Sequence, residues 1–128
     1  MEKTYKNAAK EGLSVRLLEI ETFENQFKNY KITISVPEFT SLCPKTGNPD
    51  FGTITIEYEP DRSVIELKSL KIYMHSYRNL PIFYENAVNL MLKDIVKSVK
   101  PVWLRIKGEF RPRGGISSTI EVSYPQKK

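Results

Sequence analysis

Between Tyr30 and Val36 apolar and polar side chains alternate, and Ile32, Ile34 and Val36 are β-branched, which predicts a half-buried strand that Pro37 ends. A second alternating run, Thr53 to Tyr58, closes at Pro60-Asp61 and should return antiparallel to the first. From Leu67 the period changes. Leu67, Leu70, Met74 and Tyr77 fall three and four residues apart, which predicts a first helix. A second helix is predicted to start at Asn79-Leu80-Pro81 and to present Phe83, Ala87, Leu90, Met91, Ile95 and Val96 on one face until Pro101 ends it. Val102–Lys107 and Ile116–Ser123 read as two further strands joined by a turn at Arg113-Gly114-Gly115. Met1 to about Gln26 follows neither period and is expected to form a charged arm with room for one short helix or strand.

The order β-β-α-α-β-β predicts an α+β domain, an antiparallel sheet with two helices on one face. At 128 residues the chain should form a single domain, 1–128, with residues 1–26 as the arm and 117–128 as the last strand and tail. Such a sheet has open edges, so pairing with copies of itself into a closed homo-oligomeric barrel is expected. Hydrophobic residues at 40% and charged residues at 27% exclude a disordered chain and a disulfide scaffold. No apolar run approaches the roughly 20 residues needed to cross a bilayer, and Met1 to Lys10 is polar, so no membrane association and a cytoplasmic location are expected. The net charge of +5 suits an anionic partner, nucleic acid or a phosphorylated cofactor. The basic residues are dispersed, with small groups at Lys68 and Lys71, Arg111 and Arg113, and the tail pair Lys127-Lys128. One cysteine and one histidine cannot build a structural zinc site, so no metal is expected.

Candidate chemistry concentrates in Thr40 to Pro49, where Pro44, Gly47, Asn48 and Pro49 make a turn-rich connection that carries Cys43 and leads to Asp50. A lone cysteine is often buried filler. Here the prolines stiffen its loop, which favours a reactive thiol with Asp50 as a nearby proton donor. His75 falls in the first helix, where a structural role is expected. Lys68, Ser69 and Lys71 open that helix, and a helix start with added donors suits a phosphate. Gly114-Gly115 is not part of a strand-turn-helix phosphate loop, so any dinucleotide must bind in another way.

The string Glu38 to Phe51 and the string Glu66 to Tyr73 resemble the QueF family of NADPH-dependent 7-cyano-7-deazaguanine reductases. The resemblance continues through Ser76-Tyr77-Arg78-Asn79, Phe83-Tyr84-Glu85 and Phe110 to Ile116, so it spans about Tyr30 to Ile116, and the length matches the family's single-module type. It implies the tunnelling fold (T-fold), whose β-β-α-α-β-β subunits assemble into barrels with sites between subunits. It further implies that Cys43 adds to a nitrile to form a thioimide, that Asp50 donates the proton, and that NADPH reduces the adduct twice to an aminomethyl product used in queuosine synthesis. Glu85 would face the guanine-like edge of the deazapurine, Ile65, Glu66 and Leu67 would line the substrate, and Lys68, Ser69 and Lys71 would meet the cofactor. Two departures stand out. Tyr84 occupies a position where many members carry histidine, and Ile72 one where leucine or tyrosine is usual. A tyrosine hydroxyl can donate or accept a hydrogen bond but is a poor proton shuttle at neutral pH. The family's tRNA-modifying amidinotransferase relative lacks the cofactor motif, and a nucleic-acid-binding module would need aromatics interleaved with basic residues, a stripe this chain does not have.

Overall fold

The computed structural model describes residues 8–126; the start of the polar arm and the Lys127-Lys128 pair lie outside the described residues. In chain order the elements are β1 (Thr22–Glu24), β2 (Ile32–Leu42), β3 (Pro49–Glu59), β4 (Ser63–Ile65), α1 (Leu67–His75), α2 (Tyr84–Val99), β5 (Trp103–Arg113) and β6 (Ile116–Tyr124). The four long strands form one antiparallel sheet in the order β2-β3-β5-β6, and β1 pairs with β4 in a small separate sheet. Both short strands escape the sequence pattern, because three residues are too few to display a period.

Pro37 does not end the first strand. β2 runs on to Leu42, and its pairing with β3 shifts by one residue between Val36 and Phe39. Two circumstances make this possible. β2 is an edge strand, so a missing N–H on its open side breaks no ladder, and a bulge accommodates the proline. The extra residue also reverses the alternation: Ile32, Ile34 and Val36 take the inner face before the bulge, and Phe39 and Ser41 take it afterwards. A second one-residue shift lies in β5 between Phe110 and Arg113, where Pro112 sits.

The second helix also starts later than expected. Leu42 N–H donates to Leu80 C=O at 3.1 Å and Ile82 N–H donates to Leu42 C=O at 3.0 Å, a parallel bridge that keeps Leu80 to Ile82 extended. The helix therefore opens only after Phe83, with Tyr84 and Glu85 in its first turn, close to the end of β2.

The core lies between the inner sheet face (Ile54, Ile56, Tyr58, Leu104, Ile106) and the apolar faces of α1 (Leu70, Tyr73, Met74) and α2 (Ala87, Val88, Met91, Ile95). At the end of the sheet near Cys43 this core becomes aromatic: Phe110 stacks on Tyr84 at 4.2 Å, and Phe39 meets both Phe110 and Tyr77 edge-on. Two glycines make room for the Phe110 ring. A Cβ at Gly52 would stand 2.7 Å from it, and a Cβ at Gly108 would stand 2.8 Å from both Phe110 and Val88. Gly108→Ala should therefore overpack this junction and destabilise the fold by about 1–3 kcal/mol, visible as a lower urea midpoint; an unchanged midpoint would show that the ring can yield.

Candidate active site

Cys43 follows β2 at the mouth of a tight turn. Its N–H donates to Asn48 C=O and its C=O accepts from Gly47 N–H, both at 2.8 Å, and Gly47 has the positive φ of 76° that closes the turn. Asp50 begins β3, directly opposite Ser41 in the register, and its side chain is only 3% exposed. A buried carboxylate needs a partner, and Arg113 supplies one: its Nη1 donates to Asp50 Oδ1 at 2.6 Å. The bulge at Pro112 is what turns Arg113 toward that face. Its Nη2 also reaches Thr46 Oγ1 at 3.5 Å, across the Cys43 turn.

The thiol environment follows from these contacts. Burial pushes Cys43 up, but the backbone N–H and hydroxyl of Thr46, the N–H of Lys45 and the Arg113 guanidinium together outweigh it and hold the thiol below its ordinary value. Turn amides and a cation aimed at one sulfur stabilise the thiolate, the nucleophilic form. Arg113 in turn is held more firmly protonated by Asp50 first and by Cys43 second. Asp50 and Arg113 thus form a hydrogen-bonded ion pair whose guanidinium acts on the neighbouring Cys43 thiol, and of the three residues the sequence pointed to two. The third was legible only as part of a turn, although a cation is the natural complement of a thiol and a carboxylate placed together.

Tyr84 and Glu85 lie at the same end of the sheet. Ser118 donates to the Tyr84 hydroxyl at 3.1 Å, which leaves that hydroxyl its own proton to give. Glu85 is exposed in the first turn of α2. The other expected residues gather elsewhere. Ile65 is buried and its N–H donates to the Tyr58 hydroxyl at 2.9 Å, which ties it to the far end of β3, eight residues along the strand from Asp50. At ~3.3 Å per residue that separates the two groups by on the order of 25 Å.

The start of α1 is already capped. Glu66 accepts from the backbone N–H groups of Lys68 and Ser69, both at 2.8 Å, and these amides hold its carboxyl below the usual carboxylate range. Ser69 is buried, accepts from Glu21 N–H and donates to Glu66 C=O, each at 2.8 Å. Free amides and the Ser69 hydroxyl are therefore not what α1 offers an anion. What remains is the exposed ammonium pair Lys68 and Lys71, with Leu67 exposed beside them. Lys71 borders an apolar groove of about 340 Å³ between α1 and the edge strand β2. Cations for phosphates beside an apolar slot fit a phosphorylated dinucleotide.

The four-stranded sheet with its helices, compared with solved structures, is similar to the archaeosine synthase QueF-Like in its apo form, with a TM-score of 0.65 and 22% identity over 73% of this chain and 91% of that one. The fold is the T-fold. Residues 49–128 match the family model described as QueF-like protein. The chain is 52% identical over 123 residues to the NADPH-dependent 7-cyano-7-deazaguanine reductase of Elusimicrobium minutum (strain Pei191), covering 95% of this chain and 93% of that protein. With the protein of the same name from Chloroherpeton thalassium (strain ATCC 35110 / GB-78) it shares 54% over 111 residues, 85% of this chain and 96% of the relative. The chain belongs to the QueF family.

Alkylation of Cys43 by iodoacetamide should titrate at lower pH than an ordinary free thiol, at about 8.5. Arg113→Gln should move that midpoint up, since one thiolate donor is lost while the Thr46 and Lys45 contributions stay. The same change leaves Asp50 buried without its partner and should destabilise the fold by about 2 kcal/mol, less than for a fully buried pair because the guanidinium is partly solvated. A midpoint that does not move in the folded variant would detach Arg113 from the thiol.

Proposed function

We propose that this chain is a single-module reductase that converts the nitrile of 7-cyano-7-deazaguanine to an aminomethyl group with NADPH, acting in the cytoplasm on the free deazapurine in queuosine biosynthesis. The observation that carries the reading is the Cys43 thiol held below its ordinary value by turn amides and Arg113, with buried Asp50 bound to the same arginine. The names of relatives above half identity support the substrate and the cofactor.

In the proposed reaction the Cys43 sulfur attacks the nitrile carbon. One C–N π bond breaks, the nitrogen takes by way of Asp50 the proton that the Cys43 thiol gives up, and the product is a thioimide with Asp50 again a carboxylate. Two molecules of NADPH, bound in turn, would each supply one hydride, with the accompanying protons drawn from solvent, and Cys43 would leave as thiolate between the two transfers. The chain's own groups do the rest. Glu85, an acceptor-only carboxylate, meets the donors of the guanine-like edge, and the Tyr84 hydroxyl offers the proton that Ser118 leaves free. Lys68 and Lys71 hold the cofactor phosphates by charge.

Distance makes this site a shared one. Ile65 lies on the order of 25 Å from Asp50 of the same chain, further than a bicyclic base extends, and Glu66 and Leu67 follow it in the chain. That distance supports their lining the substrate at Cys43 from a neighbouring subunit, for which the open edges of β2 and β6 offer pairing surfaces.

Incubation with the nitrile without NADPH should add the nitrile's mass to the parent protein and to no folded Cys43→Ala protein. Asp50→Asn should capture and turn over at least about a hundredfold more slowly, the loss of a general acid, read by adduct absorbance and NADPH consumption. Parent-like turnover in folded Cys43→Ala would end this reading.

Subunit mixing tests the shared site. Oligomers assembled from Cys43→Ala chains and Lys68→Ala/Lys71→Ala chains should recover NADPH turnover, because some sites then receive both intact halves. Mixtures of Cys43→Ala with Asp50→Asn, lesions of one half, should recover none. Equal behaviour of the two mixtures would place the whole site within one chain.

A further inference from the structure

Among the described residues one buried side-chain polar atom lacks a hydrogen-bond partner, the hydroxyl of Ser41. The residue is wholly shielded from solvent. Elsewhere the interior is satisfied: Asp50 has Arg113, the Tyr58 hydroxyl has Ile65 N–H, Tyr73 has Tyr77 and Asp94, and Ser69 has Glu21 and Glu66. An orphaned hydroxyl costs stability, so its presence calls for an explanation.

The location suggests one. In the β2–β3 register Ser41 stands directly across from Asp50, and opposed residues put their side chains on one face with Cβ atoms about 5 Å apart. Cys43 follows two residues later and is buried like Ser41. The hydroxyl therefore sits in the layer that holds the thiol and the carboxyl, against Phe39 on its other side. Arg113 engages Asp50 through Oδ1.

We propose that Ser41 is a positioning residue for Asp50: its hydroxyl, unpartnered in the structure and bonded to no atom of Asp50, takes up the carboxyl opposite it when the nitrile is bound and steers it while the proton passes to the nitrile nitrogen. The inference rests on the thioimide reading above. A hydroxyl accepts from a carboxylic acid and donates to a carboxylate, so it can follow Asp50 through both states, which an apolar side chain cannot do. The proton moves from the Asp50 oxygen to the nitrogen as the sulfur–carbon bond forms and one C–N π bond breaks. Ser41 keeps its own proton throughout. Arg113, a permanent donor, can serve either form only at an accepting oxygen, so the O–H of the protonated form needs a group that can itself accept.

The test is Ser41→Ala, alone and with Asp50→Asn, read by melting temperature, by nitrile affinity in a Cys43→Ala background, and by the single-turnover rate of adduct formation. Ser41→Ala should melt no lower than the parent, since only an unpartnered group is removed, and should bind the nitrile equally well. It should form the adduct about tenfold more slowly, a fraction of the full effect of a general acid. In the Asp50→Asn background the same substitution should change nothing further, because residues acting as a unit are not additive. An unchanged adduct rate in Ser41→Ala, a lower melting temperature, weaker nitrile binding, or a loss that multiplies with that of Asp50→Asn would each overturn the proposal. A parent protein that forms no adduct overturns the thioimide reading and this inference with it, whereas an adduct that forms equally fast on parent and Ser41→Ala overturns this inference alone.

Discussion

The site depends on a parity constraint. A strand sends successive side chains to opposite faces, so the face of any residue is set by counting from the last position that the core has fixed. In β2 the core fixes Ile32, Ile34 and Val36, and an unbroken count would put residues 38, 40 and 42 inward. The one-residue bulge after Val36 reverses this and delivers Phe39 and Ser41 inward, with buried Cys43 following at the same spacing. The same device operates in β5, where the shift after Phe110 turns Arg113 toward Asp50. Each bulge contains a proline, which removes one donor from the ladder where pairing is already interrupted. Asp50 needs no such help, because β3 keeps its alternation from Tyr58 back to its first residues.

This explains which parts of the fold were legible in the sequence. Runs such as Ile32 to Val36 and Thr53 to Tyr58 announce strands because their period is local, and the face from Ala87 to Ile95 announces a helix for the same reason. The connection carrying Cys43 was visible from its glycine and prolines, and Lys68 and Lys71 stood out by their place at a helix start. Bulges were not, since a proline at the end of an alternating run looks like a stop signal unless it is known that the strand lies at a sheet edge. The late start of α2 was hidden for a similar reason: Leu80 to Ile82 spend their backbone groups on Leu42, a partner nearly forty residues away in the chain. Arg113 and Ser41 belong to the same class, because their meaning comes from Asp50 on another strand.

Electrostatics then does with few groups what the sheet geometry permits. A buried thiol in an apolar wall resists ionisation, and a buried carboxylate beside it would add to that resistance. Arg113 eases both problems at once by donating to Asp50 and lowering the thiol with its charge, and the amides of the Cys43 turn add donors that carry no side-chain entropy. The capping of α1 by Glu66 follows the opposite logic. There the helix start is closed with the protein's own carboxylate, so any phosphate would be held by the mobile, solvated ammonium groups of Lys68 and Lys71 rather than by fixed amides. Fixed donors at the thiol suit a reaction that needs one geometry, and flexible ones suit a cofactor that must exchange between two hydride transfers.

The division of these groups between the two ends of the sheet is a consequence of how the chain is wound. β3 carries the chain away from Asp50 to Glu59, β4 turns it and leaves Ile65 and Glu66 at the far end, and α1 then brings it back along β2. No rotamer change can close a gap that spans most of a strand. The edge strands β2 and β6 meanwhile end the sheet with unpaired backbone groups on their outer sides, which soluble sheets normally cover or pair. Edge pairing between copies would satisfy those groups and bring the β4–α1 corner of one chain toward the Cys43 turn of another. The feature that leaves the isolated subunit least complete as a sheet is therefore the one that would complete it as an enzyme.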